Sequence, residues 1–186
     1  MNQWSKKRNI MQRYDLTAHI YNKRYAEEQT EKIEAALQGF KIEKCRIVLD
    51  AGCGTGILFN HIANTAETIV GLDISRKILL QAKEHAKKLS NIHLIWADAD
   101  NMPLKENIFN YVFGITILQN MPNPGKTLNE IRRVAKEDAA FVVTGLKKTF
   151  IREGFEGLLR NAGFNIVALK DEDLKCYVAV CTKLSR

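Results

Sequence analysis

One short stretch, "VLDAGCGTG" at residues 48–56, gathers an acid and three glycines behind an apolar run. Gly52, Gly54 and Gly56 let the backbone turn sharply and approach a ligand closely, which a Cβ atom would block. Their G-x-G-x-G spacing differs from the G-x-G-x-x-G of dinucleotide sites, whose last glycine allows close helix packing around a pyrophosphate. Asp50 precedes the loop, where a carboxylate repels an anion and attracts an ammonium group. The loop therefore predicts a ligand with a positive end.

Two further acids follow the next two apolar runs, in "VGLDIS" and "WADAD". Asp73 can accept hydrogen bonds from both hydroxyl groups of a ribose, as an acid in this position does in dinucleotide sites. Asp98 can accept one from the exocyclic amine of an adenine, and Ile74 can sandwich the base with Trp96 or Ala97. A cationic end, a ribose and an adenine, met in that order, describe S-adenosylmethionine.

Apolar β-branched runs alternate with amphipathic segments along the chain. This alternation predicts a parallel sheet with helices on both faces. The last two runs are joined only by "DEDL", which is too short for a parallel crossover, so we expect them to pair antiparallel. Helix caps are predicted at Gly39, Ser75, Asn123 and Gly163. The predicted strands are 45–50, 67–73, 91–98, 110–117, 139–145, 164–170 and 175–183, and the predicted helices are 16–40, 57–63, 75–89, 124 onward and 152–163.

Four segments resemble successive motifs of class I S-adenosylmethionine-dependent methyltransferases, especially the methyltransferase-11-like branch. They are "VLDAGCGTG", "VGLDIS", "WADADNMPLKENIFNYVF" and "PNPGKTLNEIRRVAK". The resemblance covers residues 45–145 by motif and the remainder by topology. It implies an α/β fold with a Rossmann-like, doubly wound sheet of seven strands, six parallel and one antiparallel. It also implies S-adenosylmethionine as cofactor, bound by Tyr14, Asp50, Gly52, Cys53, Gly54, Gly56, Asp73, Ile74, Asp98, Ala99 and Thr116.

The loop after the fourth strand, "TILQNMPNP", meets the methyl acceptor in enzymes of this kind, and here it departs from the common pattern. Gln119 and Asn120 stand where many small-molecule enzymes of the branch have a histidine. These amides either orient the lone pair of an acceptor or only hold the loop backbone. Tyr21 and Tyr14 are expected near them, because the leading helix folds over the active site in similar enzymes. Gln119, Asn120 and Tyr21 are therefore the predicted acceptor-positioning residues.

Composition limits the class of protein and its partners. The 186 residues, 46% hydrophobic and 26% charged, fit one structural domain, with residues 1–40 as a helical lid and 41–186 as the methyltransferase domain. No apolar run approaches the ~20 residues of a membrane span, and no export signal is recognised, so we expect a cytoplasmic monomer. Cysteines and histidines lack metal-site spacing, so no metal is predicted.

The first thirteen residues carry Lys6, Lys7, Arg8 and Arg13 without an acid. This cluster is either a solvated tail or a surface for a phosphate-rich partner. Because of it and the missing histidine, we favour an RNA (tRNA) or protein acceptor over a small metabolite. The alternatives are a small-molecule methyltransferase and a non-catalytic binding subunit of the same fold. The glycine spacing disfavours a nicotinamide-dependent oxidoreductase.

Overall fold

The computed structural model describes residues 2–38, 42–44 and 46–184, and its centre is a mixed sheet of seven strands. The strand order is β3-β2-β1-β4-β5-β7-β6. β7 pairs antiparallel with both neighbours, so the other six strands run in one direction. The strands are β1 Ile47–Ala51, β2 Thr68–Asp73, β3 Ile92–Trp96, β4 Phe109–Gly114, β5 Ala135–Leu146, β6 Phe164–Lys170 and β7 Cys176–Lys183.

Helices cover both faces of this sheet. One core joins β4 and β5 to α5 and α6 through Leu128, Ile131 and Phe155, and the other joins β1 to α2 and α3 through Ile33 and Leu58. The predicted seven-stranded mixed sheet with helices on both faces is confirmed. The helices are α1 Gln3–Thr17, α2 Tyr21–Leu37, α3 Ile57–Ile62, α4 Arg76–His85, α5 Pro124–Val134 and α6 Arg152–Asn161.

The predicted caps that fall in the described residues have the expected geometry. The Ser75 side chain accepts from the Ile78 amide at the start of α4, and Asn123 accepts from the Lys126 amide at the start of α5. Gly163 has φ 82° just after α6. The cap predicted at Gly39 lies outside the described residues, as does Cys45.

Several predicted element boundaries are wrong. The fifth strand begins at Ala135 rather than at 139, and the helix predicted to run to 89 ends at His85. The fourth strand ends at Gly114 rather than at 117, because Thr116 adopts φ 62°, which turns the chain away from the sheet. The leading helix does not start at 16. Instead α1 begins at Gln3 and is joined to α2 by a 3₁₀ turn at Ala18–Ile20.

The interpretation of the basic N-terminal cluster as a solvated tail is also wrong. Asn2 caps α1 by accepting from the Ser5 amide, and the helix packs against α4. Lys7 is only 7% exposed, because its ammonium group contacts Asp98 and Asp100, which follow β3. The N-terminal segment is therefore part of the domain.

Candidate active site

The glycine loop between β1 and α3 bends so that its backbone faces the end of β2. Gly54 has φ 56°, and a Cβ atom there would meet nothing within 4 Å, so this position opens onto free space. The Gly54 amide donates to Asp73 Oδ2 at 3.0 Å, and the Gly52 amide donates to the Leu72 carbonyl at 2.7 Å. The loop is thus held to β2 while its tip remains accessible to a ligand.

Asp50 lies at the end of β1 and is 3% exposed. Burial, together with the nearby Asp73 carboxylate, raises the pKa of Asp50 to about 8. A buried carboxylate is costly to ionise without a cation beside it. A ligand that carries an ammonium group would supply that cation.

Asp73 ends β2, and both of its oxygens face backbone donors. Oδ2 accepts from the Gly54 amide at 3.0 Å, and Oδ1 accepts from the Ser75 amide at 2.8 Å. Burial raises the pKa of Asp73, and these hydrogen bonds lower it in part. Each carboxylate oxygen has a second lone pair, so Asp73 retains acceptor sites for two ribose hydroxyl groups.

Asp98, which follows β3, has a partner that sequence reasoning missed. The Lys7 ammonium group donates to both of its oxygens, at 2.8 Å and 2.6 Å, and lies 2.5 Å from Asp100 Oδ2. Asp100 is 2% exposed and also accepts from the Thr127 hydroxyl. An adenine amine would therefore share Asp98 with α1.

A cavity lies over the carboxyl ends of β1 to β4 and below α1; we call it the strand-end cavity. It brings together ten of the predicted site residues: Tyr14, Tyr21, Gly52, Gly54, Asp73, Ile74, Asp98, Ala99, Thr116 and Asn120. Asp50 and Cys53 line a smaller adjoining cavity, which also contacts Tyr21 and both glycines. Sequence reasoning missed the apolar residues that line the strand-end cavity, which include Ile10, Ile78, Ile115, Ile117 and Met121.

Three predicted cofactor contacts border neither the strand-end cavity nor the adjoining cavity. Trp96 is 62% exposed and its indole donates to the Ile74 carbonyl, so it does not face the cavity, and Ala97 does not border it either. Ala99, rather than Trp96 or Ala97, borders the strand-end cavity together with Ile74. Gly56 has φ 79° and is the N-cap of α3. A Cβ atom there would clash with the Phe59 ring, so this glycine lets the loop turn into the helix.

A second cavity of about 520 Å³ lies between α1, α2 and the loops after β4 and β5; we call it the helix-side cavity. It shares Tyr14, Tyr21, Thr116 and Asn120 with the strand-end cavity, so these residues form the boundary between the two. The Tyr14 and Tyr21 ring centroids are 6.0 Å apart. Gln119 borders only the helix-side cavity.

Gln119 and Asn120 both form hydrogen bonds to the loop backbone. Each side-chain amide donates to the Thr116 carbonyl, at 2.8 Å and 3.0 Å. Asn120 also donates to the Tyr14 hydroxyl at 2.9 Å and accepts from Arg13 at 3.0 Å. Asn120 therefore connects α1 to the loop at the boundary between the cavities.

These features fit one ligand. Asp50 offers a buried carboxyl group that a cation beside it would ionise, Asp73 offers paired acceptors, and Asp98 with Ile74 and Ala99 lines the far end of the strand-end cavity. A family model described as "Methyltransferase domain" matches residues 42–168. The chain belongs to the class I S-adenosylmethionine-dependent methyltransferases. S-adenosylmethionine is its cofactor.

Relatives of the chain include enzymes that act on different acceptors. It is 29% identical to a malonyl-[acyl-carrier protein] O-methyltransferase of Marinomonas sp. over 77% of this chain and 54% of that one. It is 31% identical to a demethylmenaquinone methyltransferase of Staphylococcus epidermidis over 69% and 53%. The chain spans about half the length of these curated relatives.

The fold has solved counterparts of nearly the same extent. The complex between the Haloferax volcanii Trm112 methyltransferase activator and a methyltransferase matches with a TM-score of 0.80 and 16% identity, over 92% of this chain and 98% of that one. An S-adenosylmethionine-dependent methyltransferase structure from Methanococcus maripaludis matches with a TM-score of 0.77 and 16% identity, over 95% and 94%. At these identities the likeness concerns the fold.

Three further observations concern the described part of the chain only. No helix in it has the length and apolar character needed to cross a membrane. Its His, Cys, Asp and Glu side chains form no group of three or more suited to a metal ion. Cys53, Cys176 and Cys181 are free, buried thiols.

Proposed function

We propose that this methyltransferase acts on a small molecule bound in the helix-side cavity. The observation that carries the proposal is the position of α1 across the strand ends, where Lys7 contacts Asp98 and Arg13 contacts Asn120. A helix in this position encloses the reacting groups and leaves a cavity of about 520 Å³ beside them. Ligand cavities of ~300–1,000 Å³ suit metabolite-sized molecules.

The residues of the strand-end cavity have separate roles in this proposal. Asp50 binds the ammonium group of the cofactor, Asp73 binds the ribose hydroxyls, and Asp98 with Ile74 and Ala99 binds the adenine. S-adenosylmethionine supplies a methyl group on a positively charged sulfur. The chain must then hold an acceptor in line with that methyl group, and such positioning lowers the barrier strongly.

Asn120, Tyr14 and Tyr21 are the proposed positioning residues, because they border both cavities. Asn120 is itself fixed by hydrogen bonds to the Thr116 carbonyl and the Tyr14 hydroxyl. A rigid boundary of this kind limits the directions from which an acceptor can approach. It also separates the acceptor from the acids that bind the cofactor.

We further propose that residues 1–40 act as a lid over the methyltransferase domain. Besides Lys7 and Arg13, Asp15 of α1 accepts from the Ser75 hydroxyl at 2.5 Å and from the Lys77 amide at 3.3 Å. In α2, Asn22 accepts from the Thr55 hydroxyl at 2.6 Å. Lys7 is the one buried residue of α1, so the docking of this helix rests on polar contacts, which suits a lid that opens for the cofactor.

An RNA or protein acceptor stays a prediction with less support, since Lys7 contacts acids of its own chain. A protein partner has one specific argument in its favour. The similar fold from Haloferax volcanii occurs with the Trm112 activator, and β3 lies at an edge of this sheet with Trp96 62% exposed. Light scattering of the purified chain would test the predicted monomer. The cytoplasmic location likewise remains a prediction.

Labelled methyl transfer tests the proposed acceptor class. The enzyme and S-adenosylmethionine with a labelled methyl group would be incubated separately with the small-molecule, RNA and protein fractions of a cell extract. We expect label in the small-molecule fraction and none there with Asp73→Ala. Label confined to RNA or protein would overturn the small-molecule acceptor, whereas absent binding of S-adenosylhomocysteine would overturn the assigned cofactor site.

A further inference from the structure

The helix-side cavity has a positive lining. Arg13, Arg24 and Lys32 border it with a single acid, Glu28. Lys32, 2% exposed, pairs with Glu28 at 2.6 Å, and Glu28 also contacts Lys175 at 3.3 Å. The lining acid is therefore already paired, and neither arginine has a carboxylate partner within 4.0 Å among the described residues.

Arg13 lies next to the place where the two cavities meet. Its guanidinium donates to Asn120 at 3.0 Å and lies 5.1 Å from the centroid of the Tyr14 ring. Asn120 and Tyr14 both border the strand-end cavity as well. An anion bound to Arg13 would consequently lie close to the methyl group of a cofactor in that cavity.

Arg24 extends the same positive surface along α2. It lies between Tyr21 and Tyr25 in sequence, and all three border the helix-side cavity. The Tyr21 and Tyr25 ring centroids are 5.1 Å apart. The cavity thus pairs two guanidinium groups, which bind carboxylates through paired hydrogen bonds, with an aromatic wall.

The titratable groups of the lining are poorly suited to removing a proton. Burial raises the pKa of Tyr14 and of Tyr21, so both phenols stay protonated at neutral pH. The hydrogen bond from Lys32 lowers the pKa of Glu28, which makes its carboxylate a weaker base. An acceptor that is already deprotonated at neutral pH needs no base.

We infer that the acceptor is a small carboxylic acid, whose carboxylate is bound by Arg13 and Arg24 and is methylated on oxygen. This inference rests on the proposed function and specifies its substrate class. A lone pair of the carboxylate oxygen forms the new O–CH₃ bond while the methyl–sulfur bond breaks, and its electron pair stays on sulfur. The positive sulfur and the negative carboxylate both become neutral, so no proton is transferred. The products are a methyl ester and S-adenosylhomocysteine.

The chemical stability of the product tests this inference. Wild-type enzyme, methyl-labelled S-adenosylmethionine and the small-molecule fraction of a cell extract would be incubated, and the product would be treated with mild alkali. A methyl ester releases its label as volatile methanol, whereas N-methyl and ether products retain it. Volatile label is the expected result. Alkali-stable label, or no labelled product, would overturn the carboxylate acceptor.

Substitution of the arginines tests their role. Arg13→Gln and Arg24→Gln should each lower the initial rate at which the small-molecule fraction gains alkali-labile label by about tenfold or more, because a charged hydrogen bond is lost. Lys23→Gln is the matched control, since exposed Lys23 precedes Arg24 in α2 but does not border the cavity. Equal labelling rates in all three variants and wild type would overturn the assignment.

Calorimetry with S-adenosylhomocysteine distinguishes failure of this inference from failure of the proposed function. Both arginine variants should bind it with an affinity within about threefold of wild type, because neither arginine borders the strand-end cavity. If binding is intact but the label is alkali-stable, only the carboxylate acceptor fails. If wild type does not bind S-adenosylhomocysteine, the proposed function fails with it.

Discussion

The strand-end cavity and the helix-side cavity meet at Asn120, yet they differ in charge and in origin. The first takes Asp73 and Asp98 from the ends of consecutive strands, and Asp50 lies beside it in the adjoining cavity. The second takes its positive side chains from α1 and α2. Each charge opposes that of the molecule we assign to the cavity. The difference suggests that the enzyme keeps a cationic donor and an anionic acceptor apart until they meet at the boundary.

The largest effect is expected when Asp73, the central acid of the strand-end cavity, is removed. Asp73→Ala should weaken S-adenosylhomocysteine binding by at least about 100-fold, because two ribose hydrogen bonds to a charged group are lost. The Gly54 and Ser75 amides also lose their acceptor. Calorimetry would measure the change, with exposed Asp138→Ala as the matched control. A loss below about fivefold would contradict the role of Asp73.

The next prediction concerns neutralisation of Asp50, the buried acid of β1. Because the pKa of Asp50 is raised to about 8, its ionisation destabilises the folded apoprotein. This cost is absent below the unfolded pKa of about 4 and grows until the pH passes about 8. Asp50→Asn should therefore stabilise the apoprotein at pH 8.5 by roughly 1–3 kcal/mol. The same change should weaken binding of the ammonium-bearing ligand.

Thermal unfolding with and without S-adenosylhomocysteine would separate these two effects of Asp50→Asn. The apo variant should melt above apo wild type at pH 8.5, and the difference should shrink toward pH 5. The ligand should raise the melting temperature of wild type much more than that of the variant. A variant that binds as well as wild type would show that Asp50 does not contact the ammonium group.

A further prediction concerns Lys7, the one cation among the described residues that line the strand-end cavity. Lys7→Gln removes the cation that pairs with Asp98 and Asp100, and should lower the free energy of unfolding by about 2 kcal/mol. Removing the competitor for Asp98 should also strengthen S-adenosylhomocysteine binding. Denaturant unfolding and calorimetry would measure both, with neighbouring Lys6→Gln as control. Equal stability of the two variants would show that the Lys7 ion pairs do not hold α1.

The smallest effect is expected for Asn120, which lies at the boundary between the two cavities. Asn120→Ala should lower kcat by about tenfold and change S-adenosylhomocysteine affinity less than threefold, because Asn120 positions the acceptor rather than the cofactor. The comparison variant is Asn9→Ala, which lies on α1 but borders neither cavity. A large loss of cofactor affinity with unchanged kcat would assign Asn120 to the strand-end cavity alone.

The two cavities also differ in how far the sequence predicts them. The sequence predicts the positions of Asp50, Gly52, Gly54 and Asp73, because the strand ends of a parallel sheet converge at one edge and local patterns locate those ends. The fold follows from the same alternation of strands and helices. Both predictions use interactions that are local in the chain or are dictated by sheet topology.

Contacts made by α1 were beyond such reasoning. Lys7 and Asp98 are separated by 91 positions, and Tyr14 and Asn120 by 106, so their pairing depends on where α1 docks. The α1 sequence has few apolar residues to indicate a packed helix, and its lysines and arginines resemble those of a solvated tail. The left-handed backbone of Thr116 likewise carries no local signal.

A crystal structure with S-adenosylhomocysteine is the most direct test of the central claim that two cavities divide donor from acceptor. We predict its ammonium group beside Asp50, its ribose hydroxyls on Asp73, and its sulfur facing the helix-side cavity at Asn120. The adenine should lie against Ile74 and Ala99. A ligand bound in the helix-side cavity, or one whose sulfur faces away from Asn120, would contradict the account.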